Sequence, residues 1–438
     1  MAIVDLGCAK NTVDSESLLG RLLFHGFTFA AHAADADLLL VNTCGFILSA
    51  KRESVEHLLE AVSLKKLHPR LKVVAMGCLA QRYGKDLARE IPELDGIFGF
   101  EAYRDLTALC RKVLNGRRVL CMGAGHVAPL DAAPRLLLTG EAYAYLRIAD
   151  GCDNRCAYCA VPLIRGRFRS RPRAAVLREA ESLVARGVKE LCLIAQDITY
   201  YGADRWGESR LPDLLQGLLK IPGNTWIRLL YAHPAHMSDE VIDLLAGEER
   251  LLGYLDLPIQ HINTRILRRM GRKVTRRKIE RLLKTLRRRV PKLTLRTSVI
   301  AGFPGETERE FRELLRFIGE GWFQHLGAFA YSKEEDTPAA RASGQIPPAE
   351  CKLRASEIMA VQQGVTFRWL DSRLGNREEV LVEEISPKGG GLGRTRCEAP
   401  EVDGIITLSQ GKYRPGERIL ACLERRDLYD LTAYVVEG

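Results

Sequence analysis

Three cysteines fall within eight residues of one another in the segment GCDNRCAYCAVP, residues 151–162. Cys152, Cys156 and Cys159 are separated by three and then two residues, and the next cysteine along the chain is Cys192. Soft thiolate ligands packed this closely select zinc or an iron–sulfur cluster. A structural zinc site needs a fourth Cys or His nearby, whereas a four-iron cube on three thiolates keeps one iron open to a small molecule. We therefore favour the open-iron cluster over a zinc knuckle and over three core cysteines grouped by chance.

The length and composition of the chain indicate a globular protein of two or three domains. It has 438 residues, of which 46% are hydrophobic and 27% charged. Its longest apolar runs fall short of the ~18 residues of a membrane span, and the segment MAIVDLGCAKN lacks a signal peptide's charged region. A cytoplasmic location without membrane contact is therefore expected. Twelve cysteines in such a chain favour metal binding over disulfide bonds. The net charge of +10 suggests an anionic partner such as RNA or the ribosome, although charged faces are usually just solvated.

Strands and helices alternate over residues 1–115, which predicts a doubly wound parallel sheet. The predicted strands are 2–6, 37–42 and 71–76, and the predicted helices are 14–25, 49–66 and 80–90. Cys8, Cys44 and Cys78 each follow one of these strands. Because ligands gather at the carboxyl ends of strands in open α/β sheets, the three should converge although 36 and 34 residues separate them. A second three-thiolate cluster is the better hypothesis, and three core cysteines are the alternative.

Six apolar strand candidates, each followed by a helix, occupy the central part of the chain, residues 135–370. The strand candidates are 145–149, 191–195, 227–231, 254–259, 293–300 and 326–331, and the helices include 173–186, 275–289 and 306–319. Six βα units predict an open, partial (βα)6 barrel, smaller than the closed eight-stranded form. Active sites of such barrels lie at the carboxyl ends of the strands, and the cysteine motif follows the first strand.

The last part of the chain, residues 373–438, changes to short β runs after a helical connector at 352–374. Strands are predicted at 379–383, 404–408, 417–423 and 433–437, with turns at 389–391 and 415–416. This pattern predicts a small antiparallel barrel of the oligonucleotide-binding type. Residues 375–438 contain nine Lys or Arg and twelve Asp or Glu, a net charge of −3, with Glu398, Glu401 and Asp403 expected on an exposed turn. An RNA-binding barrel should be basic, so the acidic one favours a basic protein partner.

The segment AYLRIADGCDNRCAYCAVPLIRGRFRSRP resembles the radical S-adenosylmethionine (SAM) enzymes, which place an aromatic residue, here Tyr158, just before the last cysteine. The flanking residues resemble the methylthiotransferase branch of these enzymes, and the resemblance covers the whole chain. It includes the Asn-Thr-Cys-Gly context of Cys44, the segment Asp14-Ser15-Glu16 and a closing TRAM domain, the small barrel predicted above.

This resemblance implies two 4Fe–4S clusters, a catalytic one in the barrel and an auxiliary one in the N-terminal domain. The open iron of the first binds the amino and carboxylate groups of SAM, which one electron cleaves into methionine and a 5′-deoxyadenosyl radical. One SAM is the methyl donor and a second is the radical source, and a reductant protein and a sulfur donor are further partners. The implied ligands are Cys152, Cys156 and Cys159 for the first cluster and Cys8, Cys44 and Cys78 for the second.

Polar residues at the strand ends are candidates for the SAM pocket by the same resemblance. The candidate cofactor-binding residues are Tyr158, Gln196, Asp197, Arg296 and Ser298, and His233, Gln260 and His261 occupy comparable strand ends. Two stretches depart from the common pattern. AQDITYYG stands where many radical enzymes have Gly-Gly-Glu, and SVIAGFPGE keeps only part of Gly-x-Ile-x-Gly. The alternative for each candidate is an ordinary loop or capping residue.

An arginine run and six single cysteines complete the list of candidates. The run RGRFRSRPR predicts a contact with phosphate or an acidic substrate, with a solvated loop as the alternative. Its arginines are Arg165, Arg167, Arg169, Arg171 and Arg173. The cysteines outside the two sets stand singly in apolar or turn contexts and are interpreted as structural: Cys110, Cys121, Cys192, Cys351, Cys397 and Cys422.

Three further motifs resemble the branch of the family that modifies a ribosomal protein: LGCAKNTVDSE around Cys8, YLDLPIQH at 254–261 and APEVDG at 399–404. The branch that modifies the adenosine beside the tRNA anticodon typically has Gln-Met-Asn where this chain has Ala9-Lys10-Asn11. With the acidic barrel, the resemblance implies transfer of a methylthio group to an aspartate β-carbon of small-subunit ribosomal protein twelve, free or on the ribosome. The tRNA branch is the first alternative, and a non-enzymatic iron–sulfur electron carrier is the second.

Overall fold

A computed structural model describes residues 1–123, 135–387 and 389–436 of the chain. The described residues form a five-stranded parallel sheet, a six-stranded parallel sheet and a closed five-stranded barrel, in that order along the chain, and one short two-stranded sheet. The predicted fold class, an α/β chain with a partial (βα)6 barrel and a small C-terminal β-barrel, is confirmed. No described helix is long and apolar enough to span a membrane. The domain bounds 1–115, 135–370 and 373–438 stay predictions, and the last predicted strand ends at 437, outside the described residues.

The N-terminal sheet has helices on both of its faces. Its elements are β1 (Ala2–Asp5), α1 (Ala9–Phe24), β2 (Leu38–Thr43), α2 (Leu48–Ser63), β3 (Lys72–Met76), α3 (Gly77–Glu90), β4 (Gly96–Phe98), α4 (Leu106–Leu114) and β5 (Val119–Cys121). The strands are parallel in the order β1-β2-β3-β4-β5. Leu18 of α1 and Leu106 of α4 share one core, whereas Leu58 of α2 and Leu87 of α3 share the other. The sequence missed β4 and β5, which have three residues each and are too short to show a period.

The central part of the chain forms the partial barrel. Its elements are β6 (Tyr143–Arg147), β7 (Ala149–Asp150), α5 (Val161–Arg165), β8 (Arg169–Ser170), α6 (Arg173–Ala185), β9 (Glu190–Ile194), α7 (Ala203–Trp206), α8 (Leu211–Leu219), β10 (Trp226–Leu229), α9 (Asp239–Gly247), β11 (Leu251–Asp256), α10 (Thr264–Arg269), α11 (Arg276–Arg289), β12 (Thr294–Ala301), α12 (Glu308–Gly319) and β13 (His325–Ala330). The barrel strands are parallel in the order β6-β9-β10-β11-β12-β13, and all six predicted strands are present. Leu193, Leu229 and Leu255 belong to the core between these strands and the helices.

The C-terminal part closes into a small barrel. Its elements are α13 (Pro348–Asp371), β14 (Arg377–Ile385), β15 (Gly390–Arg394), β16 (Ile406–Gln410), β17 (Arg418–Asp427) and β18 (Asp430–Val435). Neighbouring strands, in the order β14-β15-β16-β18-β17, are antiparallel except for the parallel pair β16 and β18. The predicted turn at 389–391 extends too far, because Gly390 already begins β15. A Cβ on Gly390 would lie 2.5 Å from the Leu408 carbonyl oxygen, so glycine lets the two strands approach.

Helix α1 lies between the N-terminal sheet and the barrel, with its acidic residues buried in ion pairs. Asp14 pairs with Arg147 of β6 and, at 2.8 Å, with Arg165 of α5. Glu16 pairs with Arg135, which is also buried. A buried charge is costly without a partner, so these pairs fix how the N-terminal sheet faces the barrel.

The segment between β15 and β16, residues 395–405, docks against the barrel and corrects one expectation. The side chains of Glu398 and Asp403 are buried, and only Glu401 of the three acids expected on an exposed turn is exposed. Glu398 pairs with Arg373, and Asp403 pairs with Arg296 of β12. The formal charge of the C-terminal barrel therefore overstates the acidic surface that it offers to a partner.

Glu190, the first residue of β9, pairs with Arg394 of β15 and so joins the partial barrel to the C-terminal barrel. Low pH should weaken this contact. Burial opposes ionisation of this carboxyl, but Arg228 and Arg394 outweigh burial and lower its pKa from 4.5 to about 2. A carboxyl with a lowered pKa stabilises the folded state above its unfolded pKa, and this stabilisation is lost as the pH falls from 4.5 towards 2. We expect Glu190→Gln to lower the free energy of unfolding at neutral pH, with the difference from the unmutated protein vanishing across that pH range.

Denaturant titrations at a series of pH values measure this difference. Glu249→Gln is the matched control, because Glu249 pairs with Arg396 while 87% of its side chain is exposed. The control should leave the free energy of unfolding unchanged at every pH. A Glu190→Gln effect that stays constant with pH would contradict the ionic contact.

Candidate active site between the N-terminal sheet and the barrel

The three cysteines of the barrel motif lie on the loop after β7, at the carboxyl ends of the barrel strands. Gly151 begins this loop with φ 72°, and a Cβ there would lie 2.1 Å from the Arg167 carbonyl oxygen, so no larger residue fits. The Cys159 amide donates a hydrogen bond of 3.1 Å to the Cys156 carbonyl oxygen. Cys152 is buried, and the other two cysteines are partly exposed. The loop is thus curled so that three thiols from consecutive turns lie together.

Burial and negative charge on a neighbouring thiol raise the pKa of two of these three thiols. Burial raises the pKa of Cys152 to about 12 and also raises the pKa of Cys159, and negative charge on Cys156 adds to both shifts. The guanidinium of Arg272 lies at the edge of the group, with its Nη1 4.0 Å from the Cys156 sulfur. A metal centre bound among the thiols would supply the positive charge that holds them as thiolates.

Cys8, Cys44 and Cys78 also meet, at the carboxyl edge of the N-terminal sheet. Cys8 directly precedes α1, Cys44 follows β2 and Cys78 is the second residue of α3. Burial raises the pKa of Cys44 and raises that of Cys78 to about 12, and negative charge on Cys8 raises both further. A Cβ on Gly7 would lie 3.2 Å from the Cys44 sulfur, so the glycine leaves room beside it. The structure brings these three cysteines together, and their role as metal ligands stays a prediction.

Helix α5 and its last residue, Arg165, connect the two sets of cysteines. Ile164 packs in the same apolar core as Cys78 of the N-terminal set. Arg165 is buried and donates to the side-chain oxygens of Asn11 and Asp14, each at 2.8 Å. Its positive charge acts against the raised pKa of Cys78. The chain that leaves the barrel motif therefore runs directly against the N-terminal set, and both sets lie at one junction between the sheets.

Lys10 crosses this junction from α1 to the barrel. Its Nζ lies 3.3 Å from the centroid of the Tyr231 ring and 3.5 Å from the Ala195 carbonyl oxygen. The side chain is buried, and no carboxylate in the described part of the chain lies within ion-pair distance of it. Burial lowers the pKa of Lys10, while negative charge on Cys8 opposes that shift. A buried ammonium without an ion-pair partner is suited to bind a carboxylate from outside the chain.

Asp256 ends β11 beside Tyr231 and is also incompletely satisfied. Its Oδ2 accepts the Tyr231 amide at 3.1 Å, while Oδ1 is buried without a hydrogen-bond partner among the described residues. Burial raises the pKa of this carboxyl to about 6, and the charges of Arg296 and Lys10 act against that rise. An unpartnered oxygen and an unpaired ammonium at one junction indicate that a polar ligand binds there.

One of the predicted SAM-pocket residues, Asp197, lies next to the barrel cysteines. Asp197 accepts a hydrogen bond of 2.8 Å from Asn154 of the cysteine loop, and His236 Nδ1 lies 2.8 Å from the same carboxylate. Asp197, His233 and His236 have polar atoms within 4.8 Å of one another. Burial lowers the pKa of His233 to about 3, so this imidazole is neutral. Gln196 buries its Oε1 without a hydrogen-bond partner in the described residues, which leaves it available to a ligand.

The other pocket candidates have different surroundings. Tyr158 lies beside Cys156, whose negative charge adds to the effect of burial in raising the tyrosine pKa. Arg296 is engaged with Asp403 of the C-terminal barrel. The carbonyl oxygen of Ser298 accepts the Gln260 amide at 2.9 Å. Their roles in SAM binding stay predictions.

The arginine run divides into buried and exposed members. Arg165 is buried at the junction, and Arg171 pairs with Glu179 at 2.6 Å, so neither is a free contact for phosphate. The remaining arginines of the run, Arg167, Arg169 and Arg173, are partly or fully exposed. Among the other strand-end residues, His261 is fully buried.

The single cysteines lie in cores and turns, and all twelve cysteines are free thiols. Cys110 belongs to the core under α4, and the Cys351 sulfur donates to the Gly302 carbonyl oxygen at 3.4 Å. The structure therefore pairs none of the twelve in a disulfide.

Sequence reasoning missed Lys10, Tyr231, Asp256 and Arg272 as site residues. Lys10 stands two residues after Cys8, and Asp256 lies inside the YLDLPIQH motif, so both had a signal in the quoted motifs. Tyr231 and Arg272 come from separate strand ends and loops, and only the barrel fold brings them to the junction.

Three stretches of the chain match known families. Residues 1–99 match "Uncharacterized protein family UPF0004", residues 146–318 match the radical SAM superfamily and residues 374–436 match the TRAM domain. With the partial barrel and its three-cysteine loop, these matches define a radical SAM enzyme that carries a UPF0004 domain before the barrel and a TRAM domain after it. The superfamily implies a 4Fe–4S cluster and SAM.

Solved structures of radical SAM enzymes share the fold. The radical SAM methyltransferase TsrM from Kitasatospora setae, with cobalamin and a 4Fe–4S cluster bound, has a TM-score of 0.57 at 19% identity, over 77% of this chain and 76% of its own. The cobalamin-dependent radical enzyme OxsB has a TM-score of 0.53 at 12% identity, over 82% of this chain and 56% of its own. At these identities the likeness is one of fold alone.

Curated proteins match the chain along its whole length. The ribosomal protein uS12 methylthiotransferase RimO of Heliobacterium modesticaldum is 44% identical over 436 residues, which cover 99% of this chain and 95% of its own. RimO of Desulfitobacterium hafniense is 40% identical over 440 residues, with 100% and 98% covered, and RimO of Syntrophotalea carbinolica is 43% identical over 440 residues, with 100% and 97% covered. The chain belongs to the RimO family of radical SAM methylthiotransferases. The resemblance seen in the sequence is thereby confirmed.

Proposed function

We propose that this enzyme transfers a methylthio group to the β-carbon of an aspartate in ribosomal protein uS12, small-subunit protein twelve. The names of its relatives, at 40–44% identity over nearly the whole chain, support this substrate. The substrate carbon carries an unactivated C–H bond, for which side-chain acids and bases offer no route. A cofactor must therefore supply the chemistry, and the protein binds and aligns the partners.

The residues at both sets of cysteines fit 4Fe–4S clusters. Each set offers three thiols close enough for negative charge on one to raise the pKa of the other two, and each has a buried guanidinium beside it that offsets the negative charge of a thiolate-bound cluster. Arg272 stands 4.0 Å from Cys156, and Arg165 contacts the set that contains Cys78. We propose that Cys152, Cys156 and Cys159 hold the catalytic cluster and that Cys8, Cys44 and Cys78 hold an auxiliary one. When bound, the catalytic cluster and SAM supply a carbon radical by one-electron cleavage of SAM.

The chain's own residues then position the reactants. The loop after β9 contains Gln196 and Asp197, and with Tyr158, Arg296 and Ser298 these are the residues we propose for SAM. Asn154 ties Asp197 to the cysteine loop. The junction excludes water, since Lys10, Asp256 and Arg165 are all buried there. A reductant protein, a sulfur donor and a cytoplasmic location complete the proposal.

The observation that carries the choice of substrate is the buried, unpaired ammonium of Lys10 beside Cys8. An aspartate side chain brings a carboxylate that pairs with this ammonium and places its β-carbon between the two sets of cysteines. An adenosine has no such group. The tRNA branch typically has methionine at the position of Lys10. A methionine side chain fits an apolar base, but it has no positive charge to pair with a carboxylate.

Lys10→Met should therefore uncouple substrate binding from SAM cleavage. We expect the Kd of a uS12 peptide that contains the target aspartate to rise about 30-fold or more, because truncating one partner of a buried charge pair costs about 2 kcal/mol at least. Calorimetry on the purified protein measures the Kd, and 5′-deoxyadenosine formation without peptide should stay unchanged. Lys85→Met, an exposed lysine of α3, is the matched control.

A second peptide with asparagine at the target position sharpens this test. The unmutated protein should prefer the aspartate peptide, and Lys10→Met should bind both peptides equally. Equal loss of affinity for both peptides would mean that Lys10 is structural, and unchanged affinity for the aspartate peptide would remove the basis for choosing a carboxylate substrate.

A further inference from the structure

The positive charge of the chain is concentrated in one segment, of whose cations the proposed mechanism uses only Arg272. The chain carries +10 and residues 375–438 carry −3, so +13 lies in the rest of the sequence. Residues 261–292 contain fourteen Lys or Arg and one acidic residue, Glu280, and thus account for all of that +13. This segment forms α10, α11 and the loops around them.

Many of these cations are exposed and have no partner among the residues that the structure describes. Arg265, Arg276 and Arg289 form ion pairs with neighbouring acids, and Arg272 is buried at the cysteine loop. The remaining exposed cations make no side-chain hydrogen bond or ion pair within the described residues, apart from Arg269 and Arg287, which reach carbonyl oxygens. The free cations are Arg268, Lys273, Arg277, Lys278, Arg281, Lys284, Arg288 and Lys292.

Four of the free cations form a stripe along α11, which we call the basic stripe: Arg277, Arg281, Lys284 and Arg288. Their spacing of four, three and four residues places them on one face of the helix, opposite the buried Ile279, Leu283 and Leu286. At a rise of about 1.5 Å per residue the stripe is about 16 Å long. Helix α11 carries no aromatic residue, so the stripe fits a phosphate backbone and offers no platform for stacked bases.

The amino-terminal end of this basic surface borders the mouth of the active site. The Met270 carbonyl oxygen, just after α10, accepts the amide of Ala157 in the cysteine loop at 2.8 Å. Gly271 runs so close to this loop that a Cβ on it would lie 2.3 Å from the Arg155 carbonyl oxygen. Lys273, one of the free cations, follows directly. A substrate that enters the mouth therefore has the basic surface alongside it.

From this surface we infer that the enzyme binds the RNA of the small ribosomal subunit through α10 and α11, and so modifies uS12 within the subunit. The inference rests on the proposed substrate. A ribosomal protein free in solution is basic and would be repelled by the basic stripe, whereas the same protein in the subunit is surrounded by phosphates. The basic stripe is thus the surface that binds the anionic partner indicated by the overall charge, and it belongs to the barrel and not to the TRAM domain.

Changing the four stripe residues to glutamine tests the inference. We expect Arg277→Gln, Arg281→Gln, Lys284→Gln and Arg288→Gln together to lower the slope of log affinity against log salt for small subunits by about 3, since each phosphate contact contributes roughly 0.7 to 0.9. From about 50 to about 200 mM salt, the unmutated enzyme should lose about 60-fold more affinity than this variant. The matched control replaces four exposed, unpaired cations of the N-terminal domain by glutamine: Arg52, Lys66, Arg70 and Lys85.

Further arms of the experiment separate the possible anionic partners and the two proposals. Methylthiolation of uS12 in subunits should fall in the stripe variant, while modification of the free peptide stays at the unmutated rate. Equal subunit binding by the stripe and control variants would overturn the inference, as would stripe-dependent binding to anionic vesicles or polyglutamate at the affinity seen for subunits. If the proposed function itself were wrong, the unmutated enzyme would not modify the peptide, and this result is distinct from a failure of the RNA-binding inference.

Discussion

Replacing Cys152, Cys156 and Cys159 together by alanine should abolish SAM cleavage and lower the iron content from about eight atoms per chain to about four. These three thiols are the ligands that we propose for the catalytic cluster, so their removal should leave no iron open to SAM. The loop should keep its shape, because its curl depends on Gly151 and on backbone hydrogen bonds that alanine preserves. Iron analysis and the yield of 5′-deoxyadenosine under reducing conditions measure both effects.

Three single cysteines provide the control for this variant. Cys110→Ala, Cys121→Ala and Cys351→Ala together remove the same number of thiols from positions outside both sets, and should change neither iron content nor SAM cleavage. SAM cleavage that survives in the barrel variant would show that the radical cluster lies elsewhere. A spectrum of the intact protein that ignores added SAM would favour the electron carrier.

The N-terminal triple variant, Cys8→Ala with Cys44→Ala and Cys78→Ala, should have the opposite phenotype. It should still form 5′-deoxyadenosine but transfer no methylthio group to uS12, because it loses the auxiliary cluster that we propose for these cysteines while the barrel is intact. The two sets stand on different sheets, so removal of one leaves the backbone of the other in place. The iron content should again fall to about four atoms per chain.

Liquid chromatography with mass spectrometry follows both products in one reaction. Continued methylthiolation by the N-terminal variant would reduce these cysteines to a structural role. Loss of 5′-deoxyadenosine as well would mean that the two sets do not act separately. The buried ion pairs of Asp14 with Arg147 and Arg165 should hold the N-terminal sheet against the barrel in this variant. A denaturant titration of the variant checks that its folded state is preserved.

The sequence predicted those parts of the fold that have long, regular patterns. All six barrel strands coincide with apolar runs, and a cysteine follows each of the three predicted strands of the N-terminal sheet. Strands β4 and β5 have three residues each, and β15 is rich in glycine because its neighbours approach closely. Local patterns are weak in such strands, since their pairing is decided by packing against the rest of the sheet.

The candidate site shows the same division between local and distant determinants. The six cysteines stand in motifs that can be read along the chain, whereas the junction around Lys10 depends on the contact of α1 with the ends of β9 and β10. The expectation that Glu398 and Asp403 lie on an exposed turn is wrong for a related reason. Their partners Arg373 and Arg296 come from α13's end and from β12, and no local pattern reveals a buried ion pair between distant segments.

Mass spectrometry of uS12 from cells with and without the gene for this enzyme decides between the protein substrate and the tRNA substrate. We expect an aspartate of uS12 to carry one methylthio group when the gene is present and none when it is deleted, with the methylthioadenosine content of tRNA the same in both strains. An unmodified uS12 in both strains, together with methylthioadenosine lost from tRNA on deletion, would assign the enzyme to the tRNA branch.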